Sequence, residues 1–104
     1  MELSKLKKAE TLLNAGRMDE AEKHLTRFTR SHPGSAQAWL MLASIYGQTG
    51  RYPEVAEACQ KAIAIQPRHP MAYSLLGSAC VLLKRNEEAV EHLQTAQALL
   101  PGDP

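Results

Sequence analysis

Few side chains in this chain of 104 residues have a type and spacing that would suit chemistry, and the first to consider are its four histidines. A metal site needs several ligands on one face or at short spacing. His24 and His92 lie far apart along the sequence, and His32 and His69 each precede a proline in segments that look like loops. We therefore predict four surface histidines and no bound metal.

The two cysteines, Cys59 and Cys80, allow two interpretations. Two are too few for a disulfide scaffold, and buried cysteine behaves as a small hydrophobic residue, so we predict that both are core residues. The alternative is a disulfide, which requires the sulfurs to lie about 2 Å apart. No glycine-rich phosphate loop occurs, and the helices inferred below do not supply the strained turn of a nucleophilic serine. We expect no catalytic residue, no cofactor and no enzymatic activity.

The composition is that of an ordinary soluble globular protein, with 44% hydrophobic and 22% charged residues. The net charge of +1 provides no field that would hold nucleic acid or an anionic membrane. No apolar run approaches the roughly 20 residues that span a bilayer, and the lysines near the N-terminus are not followed by the apolar run of a secretory signal. These features predict a cytoplasmic protein with neither nucleic acid nor membrane as a partner.

The elements that position these residues repeat along the chain. Pro33, Pro67 and Pro101 are spaced by 34 residues, and the same shift aligns further positions. The aligned sets are Ala9 with Ala43 and Gly77, Leu12 with Tyr46 and Cys80, Ala21 with Val55 and Ala89, and Leu25 with Cys59 and Leu93. Repetition at a period of roughly 20–50 residues indicates an array of stacked units. The predicted units are 2–35, 36–69 and 70–103.

Each unit contains two helical patterns. In the middle unit, Trp39, Leu42, Ala43 and Tyr46 follow the i, i+3, i+4, i+7 spacing of one helix face. A break at 48–51 separates them from a second amphipathic pattern over 52–63, which has proline and glutamate in its first turn. Six antiparallel helices are therefore predicted.

The motif of the middle unit is Trp39-x-x-Leu42-Ala43-x-x-Tyr46, followed by Gly50, Tyr52, Val55, Cys59, Ala62 and Pro67. It resembles the tetratricopeptide repeat. The first unit matches at Ala9, Leu12, Gly16, Ala21, Leu25 and Pro33, and the third at Tyr73, Leu76, Gly77, Ala89, Leu93, Ala96 and Pro101. The resemblance covers residues 2–103 and implies an all-α fold, an α-solenoid of three helix-turn-helix repeats in a right-handed superhelix. Lys84 replaces the turn glycine of the third unit, so we expect that turn to differ.

The resemblance also implies a concave groove, lined by the first helix of each unit, that binds a peptide or a helix. The groove positions are Leu3, Leu6, Glu10, Leu13, Asn14, Gln37, Leu40, Ser44, Gly47, Gln48, Met71, Ser74, Ser78, Val81 and Leu82. Ordinary packing between repeats is the alternative role for Leu40, Met71 and Val81. If Leu40 lines the groove, Leu40→Glu should weaken partner binding without unfolding the chain.

The leading hypothesis is therefore a protein–protein interaction module that acts as a scaffold. The alternatives are the N-terminal regulatory or substrate-presenting array of a larger, transferase-type enzyme and a homo-oligomerising structural unit. Some members of the family bind acidic chaperone tails through a two-carboxylate clamp. The clamp positions here hold Leu6, Glu10, Met41, Met71 and Leu75, so we expect a protein or peptide partner other than an acidic tail.

The C-terminal helix, predicted over about 86–100, carries the apolar residues Val90, Leu93, Leu99 and Leu100. Arrays of the family generally close with an extra helix, whereas only 101–104 follow here. We expect an open apolar edge, which indicates either a fragment of a longer array or self-association through this edge.

Overall fold

The computed structural model describes residues 2–100, with side chains from residue 4 onward. These residues form six α-helices and no strand: α1 Glu2–Asn14, α2 Met18–Ser31, α3 Ala36–Gln48, α4 Tyr52–Ile65, α5 Pro70–Leu82 and α6 Asn86–Leu99. The first helices of the three pairs begin 34 residues apart, and so do the second helices. The predicted all-α helical repeat is confirmed.

Local signals in the sequence account for where the helices begin. The Ser35 hydroxyl caps α3 by accepting a hydrogen bond from the Ala38 N–H at 3.3 Å. Pro70 is the first residue of α5, where the missing N–H has no partner within the helix. Glutamates in the first turns of α2, α4 and α6 suit the positive end of the helix dipole.

The turn inside each pair has the same geometry in all three pairs. Gly16, Gly50 and Lys84 take positive φ values of 77°, 75° and 63°. In each turn the following arginine donates its backbone N–H to a carbonyl of the preceding helix: Arg17 to Leu12, Arg51 to Tyr46 and Arg85 to Cys80, at 2.8–2.9 Å. The expectation that the third turn would differ is therefore wrong. The hydrogen bonds and the packing of α6 on α5 hold Lys84 in a conformation that glycine adopts more readily.

The helices stack in chain order, and α3 also contacts α5 across the array. The cores between them consist of small and branched apolar residues, with Leu25, Leu42, Ile45, Cys59 and Cys80 fully buried. Both cysteines are buried and free, so the predicted core role is confirmed.

Within the described residues, no group of three or more histidine, cysteine or acidic side chains could hold a metal ion.

Helices α5 and α6 pack closely against each other at Gly77. A Cβ placed on Gly77 would lie 2.7 Å from the Cγ and Cδ2 atoms of Leu93, which is closer than van der Waals contact allows. The equivalent positions in the other pairs hold Ala9 and Ala43, both fully buried. Glycine at this point therefore lets α6 approach α5 more closely than an alanine would.

All four histidines are half-buried, so the prediction of surface residues holds only in part. A ring nitrogen of His24, Nε2, lies 2.8 Å from the Lys5 carbonyl oxygen, and the ring of His32 stacks on Phe28 with centroids 4.5 Å apart.

None of the helices between residues 2 and 100 combines the length and the apolar character that crossing a bilayer requires.

Candidate peptide-binding groove

The helices α1, α3 and α5 lie side by side and are separated by two clefts that share one residue, Gln37. The first cleft, about 320 Å³, lies between α1 and α3 and is lined by Leu6, Lys7, Glu10 and Gln37. The second, about 420 Å³, lies between α3 and α5. Its floor is Leu40, its walls include Met41 and Met71, and the remaining lining residues are Gln37, Ser44, Gln66 and His69.

Most of the predicted groove positions reach solvent. The exposed ones are Glu10, Asn14, Gln37, Gln48, Met71, Ser74, Ser78, Val81 and Leu82, and the half-buried ones are Leu13, Ser44 and Gly47. Leu6 and Leu40 are buried, and the Leu3 side chain lies outside the described side chains. Of the predicted set, the two clefts bring together Leu6, Glu10, Gln37, Leu40, Ser44 and Met71, and Leu6 and Leu40 are buried.

Leu40 belongs mainly to the core. It is only 5% exposed and clusters with Ala36, Ala62 and Ala72, so just the edge of its side chain reaches the floor of the α3–α5 cleft. A glutamate there would place a carboxylate among apolar groups, which is costly without a partner. The structure contradicts the premise that Leu40→Glu would spare the fold, and Met71, at 56% exposure, is the better probe of this surface.

The surface of α3 and α5 carries no formal charge. Neither helix contains an acidic or basic residue, whereas α2, α4 and α6 each contain several. Among the residues that line the two clefts, only Lys7 and Glu10 of α1 are charged, and their charges are opposite. The groove is therefore uncharged along two of its three helices.

A stripe of exposed, uncharged side chains runs along α5: its large apolar members are Met71, Val81 and Leu82, and the small polar Ser74 and Ser78 lie between Met71 and Val81. Met71, Ser74, Ser78 and Val81 follow spacings of three and four residues, which places them on one helix face, with Leu82 beside them. Val81 is 49% exposed and Leu82 is 55% exposed. Large apolar side chains in one exposed row are typical of an interaction surface. The stripe extends the α3–α5 cleft toward the C-terminal end of α5.

Two hydrogen bonds from aromatic side chains orient the groove helices. The Trp39 indole N–H donates to the Pro33 carbonyl at 3.0 Å, and the Tyr73 hydroxyl donates to the Pro67 carbonyl at the same distance. Each bond joins a groove helix to the loop that precedes it, at equivalent positions of neighbouring units. The two aromatic residues therefore set how α3 and α5 leave their loops.

An ion pair joins the first and second helix pairs on the far side of α3. Arg51 donates two hydrogen bonds to the Glu22 carboxylate, one of them 3.0 Å long, and its guanidinium lies 4.7 Å from the centroid of the Tyr46 ring. The hydrogen bond from Arg51 lowers the pKa of Glu22 below its ordinary value. Because the partners are only partly buried, this bridge contributes modestly to stability, and it fixes α2 relative to α4.

The prediction of groove positions missed four residues. Lys7, Gln66 and His69 line the clefts but were not expected to, and Met41 was considered only as a clamp position. Gln66 and His69 flank the short loop between α4 and α5, and the groove positions carried over from the family lie on first helices only. A list confined to those helices could not include them.

The predicted C-terminal edge is exposed in the structure. Val90, Leu93 and Leu100 rank among the exposed large apolar side chains, and Leu99 is half-buried. Val90 and Leu93 are three residues apart on α6 and so share a face.

Comparison with known proteins agrees with this architecture. The family model of the tetratricopeptide repeat matches residues 6–70 and 66–104. The first TPR of Spaghetti (RPAP3), solved with the HSP90 peptide SRMEEVD, is 25% identical with a TM-score of 0.91, over 97% of this chain and 80% of that chain. MamA is 25% identical with a TM-score of 0.90, and the match covers 97% of this chain and 59% of that chain.

A further match, at lower identity, is the TPR2B domain of yeast Sti1 in its complex with pHsp70. It is 21% identical with a TM-score of 0.87, over 94% of this chain and 78% of that chain, and at this identity it supports the fold alone. The family model and the six-helix architecture agree over nearly the whole chain. The chain therefore belongs to the tetratricopeptide repeat family, whose domains are protein–protein interaction modules.

Proposed function

We propose that this chain binds a peptide segment or a helix of a partner protein in the groove formed by α1, α3 and α5. In this proposal the units are 2–35, 36–69 and 70–103, and each contributes one groove helix. The observation that carries the proposal is the uncharged surface of α3 and α5, on which a cleft of about 420 Å³ continues into the exposed stripe of Met71, Val81 and Leu82. A partner that covered this stripe would remove apolar surface from water.

We further propose that the ligand is not an acidic tail. The related domain of Spaghetti was solved with the peptide SRMEEVD, which contains two glutamates and an aspartate. At the clamp positions of this chain, Leu6 is buried, Met71 is exposed and apolar, and Glu10 would repel a carboxylate. Lys7 is the one lysine or arginine that lines either cleft, and Glu10 lines the same cleft. A peptide carboxylate would thus lose hydration without gaining an unopposed cation.

Selection from a displayed library of random peptides tests the proposal. We expect apolar peptides to be enriched, and we expect Met71→Glu and Val81→Glu each to weaken their binding at least roughly tenfold, the scale of one lost interface anchor. The matched control is Gln60→Glu, which adds the same charge at an exposed position of α4 and should leave binding unchanged.

Circular dichroism of each variant shows whether it is folded. Equal loss of binding in the control and the groove variants, or normal binding by both groove variants, would contradict the groove assignment. Tight binding of SRMEEVD would contradict the exclusion of acidic tails.

A second proposal concerns the exposed apolar side chains of α6, through which we propose that the chain self-associates. It is supported by the exposure of Val90, Leu93 and Leu100. Light scattering across a dilution series should show an oligomer that dissociates on dilution and that Val90→Lys disrupts. A monomer at every concentration would rule this proposal out.

A further inference from the structure

The cleft between α3 and α5 differs from the cleft between α1 and α3 because it is larger, about 420 Å³ against about 320 Å³, and because two methionines line it. Its floor is the edge of the buried Leu40, and Met41 and Met71 line it from two neighbouring helices. Its volume of about 420 Å³ falls in the range of cavities that enclose a ligand group. Such a cleft can receive a large side chain together with part of its backbone.

The chemistry of the lining selects against a charged occupant. No aspartate, glutamate, lysine or arginine lines this cleft, and its polar groups are two amides, a hydroxyl and the imidazole of His69. A carboxylate or an ammonium group would give up its hydration without an opposite charge to replace it. An apolar side chain would instead cover Met71, which is more than half exposed.

The two methionines distinguish among apolar occupants. A thioether is polarisable, makes favourable contacts with the edge of an aromatic ring, and adjusts its three torsions to the shape of the group beside it. Met41 is half-buried and Met71 is exposed, so an occupant of the cleft would contact one partly covered thioether and would cover one exposed thioether. An aliphatic side chain would gain the burial but not the contact between sulfur and ring.

We propose that the α3–α5 cleft is an anchor pocket for an aromatic side chain of the bound peptide. The inference rests on the proposed function, because it assigns one pocket of the proposed groove. Toward α1, beyond Gln37, the peptide enters the smaller cleft lined by Lys7 and Glu10, where polar groups are better accommodated than in the anchor pocket.

The test uses blocked amino acids as probes and the methyl signals of the methionines as reporters. N-acetyl-phenylalaninamide, N-acetyl-leucinamide and N-acetyl-aspartamide are titrated into protein carrying ¹³C-labelled methionine methyl groups, and the shifts are followed by NMR. We expect the phenylalanine probe to shift Met41 and Met71, and to bind roughly threefold or more tightly than the leucine probe because of the thioether contacts. Met18, at the start of α2, serves as the internal control.

Matched variants locate the effect. Ser44→Leu places a branched side chain in the wall of the cleft and should abolish the shifts, whereas Ser78→Leu, on α5 outside the cleft lining, should not. Met71→Ala, at an exposed position, should weaken binding of the phenylalanine probe and spare the fold.

Equal shifts at all three methionines, equal affinity for the leucine probe, or probe binding that survives both Ser44→Leu and Met71→Ala would overturn the pocket. Because the probes need no natural partner, a negative result here combined with successful peptide selection refutes the pocket alone. A library that yields no groove-dependent peptide refutes the proposed function instead.

Discussion

Replacing Lys84 with glycine is expected to stabilise the protein. Lys84 has a φ of 63°, in the left-handed region that the equivalent Gly16 and Gly50 occupy in the other two turns. Holding an L-residue with a side chain in this region costs roughly 1–2 kcal/mol. Glycine avoids that cost but gives the unfolded chain more freedom, which opposes folding by roughly 0.4–1 kcal/mol. The net gain expected for Lys84→Gly is therefore about 0.5–1 kcal/mol.

Among the described residues, the Lys84 side chain makes no ion pair, hydrogen bond or cation–π contact that would offset this gain. The residue is exposed, and it takes part in neither of the two ion pairs found among the described residues. The hydrogen bonds of the turn come from backbone groups, Lys84 N–H to Val81 and Arg85 N–H to Cys80, and glycine retains both. At roughly 4–8 °C per kcal/mol for a domain near this size, Tm should rise by about 2–8 °C.

Urea unfolding followed by far-UV circular dichroism measures the change, with two control variants. Lys84→Ala removes the charge but keeps the Cβ, so its stability should stay within about 0.5 kcal/mol of the parent. Gly50→Ala introduces a Cβ at a φ of 75° and, by the same balance of strain and unfolded-chain freedom, should lose about 0.5–1 kcal/mol. If Lys84→Ala gains as much as Lys84→Gly, charge is the cause. If Lys84→Gly gains nothing while Gly50→Ala is destabilised, the strain at Lys84 is refuted.

Three further predictions follow from packing and titration. Gly77→Ala should lower the free energy of unfolding by roughly 1–3 kcal/mol because its Cβ meets Leu93. In the Leu93→Ala background the same substitution should cost nothing, and an equal cost in both backgrounds would disprove the contact. Burial raises the pKa of the Cys59 thiol to about 12, so it should resist alkylation in the folded protein near neutral pH. Because the unfolded thiol ionises first, stability should fall as pH rises from about 9 toward 12, and less steeply in Cys59→Ala; identical slopes would argue against this origin. Arg51 lowers the pKa of Glu22, so the bridge should stabilise the fold at pH values above the ordinary pKa of 4.5 and should lose this effect as the pH falls through the lower pKa of the folded protein. In Glu22→Gln, the free energy of unfolding should therefore depend less steeply on pH in this range.

The helices were predictable because their signals are local and repeat. The period of 34 residues placed the start of α6 at Asn86, where the structure has it, and the apolar spacing identified Trp39, Leu42, Ala43 and Tyr46 as one helix face. The turn at Lys84 was mispredicted because residue preference there is weaker than the packing of the two helices that the turn joins.

The candidate site was predictable only in outline. The resemblance to the family indicates which positions of a first helix face the groove, and most of those positions are accessible. It does not indicate depth, because burial of Leu40 depends on how closely Ala36, Ala62 and Ala72 surround it. It also does not indicate that the loop between α4 and α5 brings Gln66 and His69 to the α3–α5 cleft.

The sequence by itself determined the number of helices, their order, the first residues of α4 and α6, and the absence of charge along α3 and α5, since each of these depends on local residue types and their spacing. Only the tertiary structure decided which apolar residues are core and which are surface. Leu40 and Met71 are both large, apolar and on first helices, yet one is 5% and the other 56% exposed. The physical reason is that exposure depends on the distances between neighbouring helices, which are set by the packing of all the pairs together.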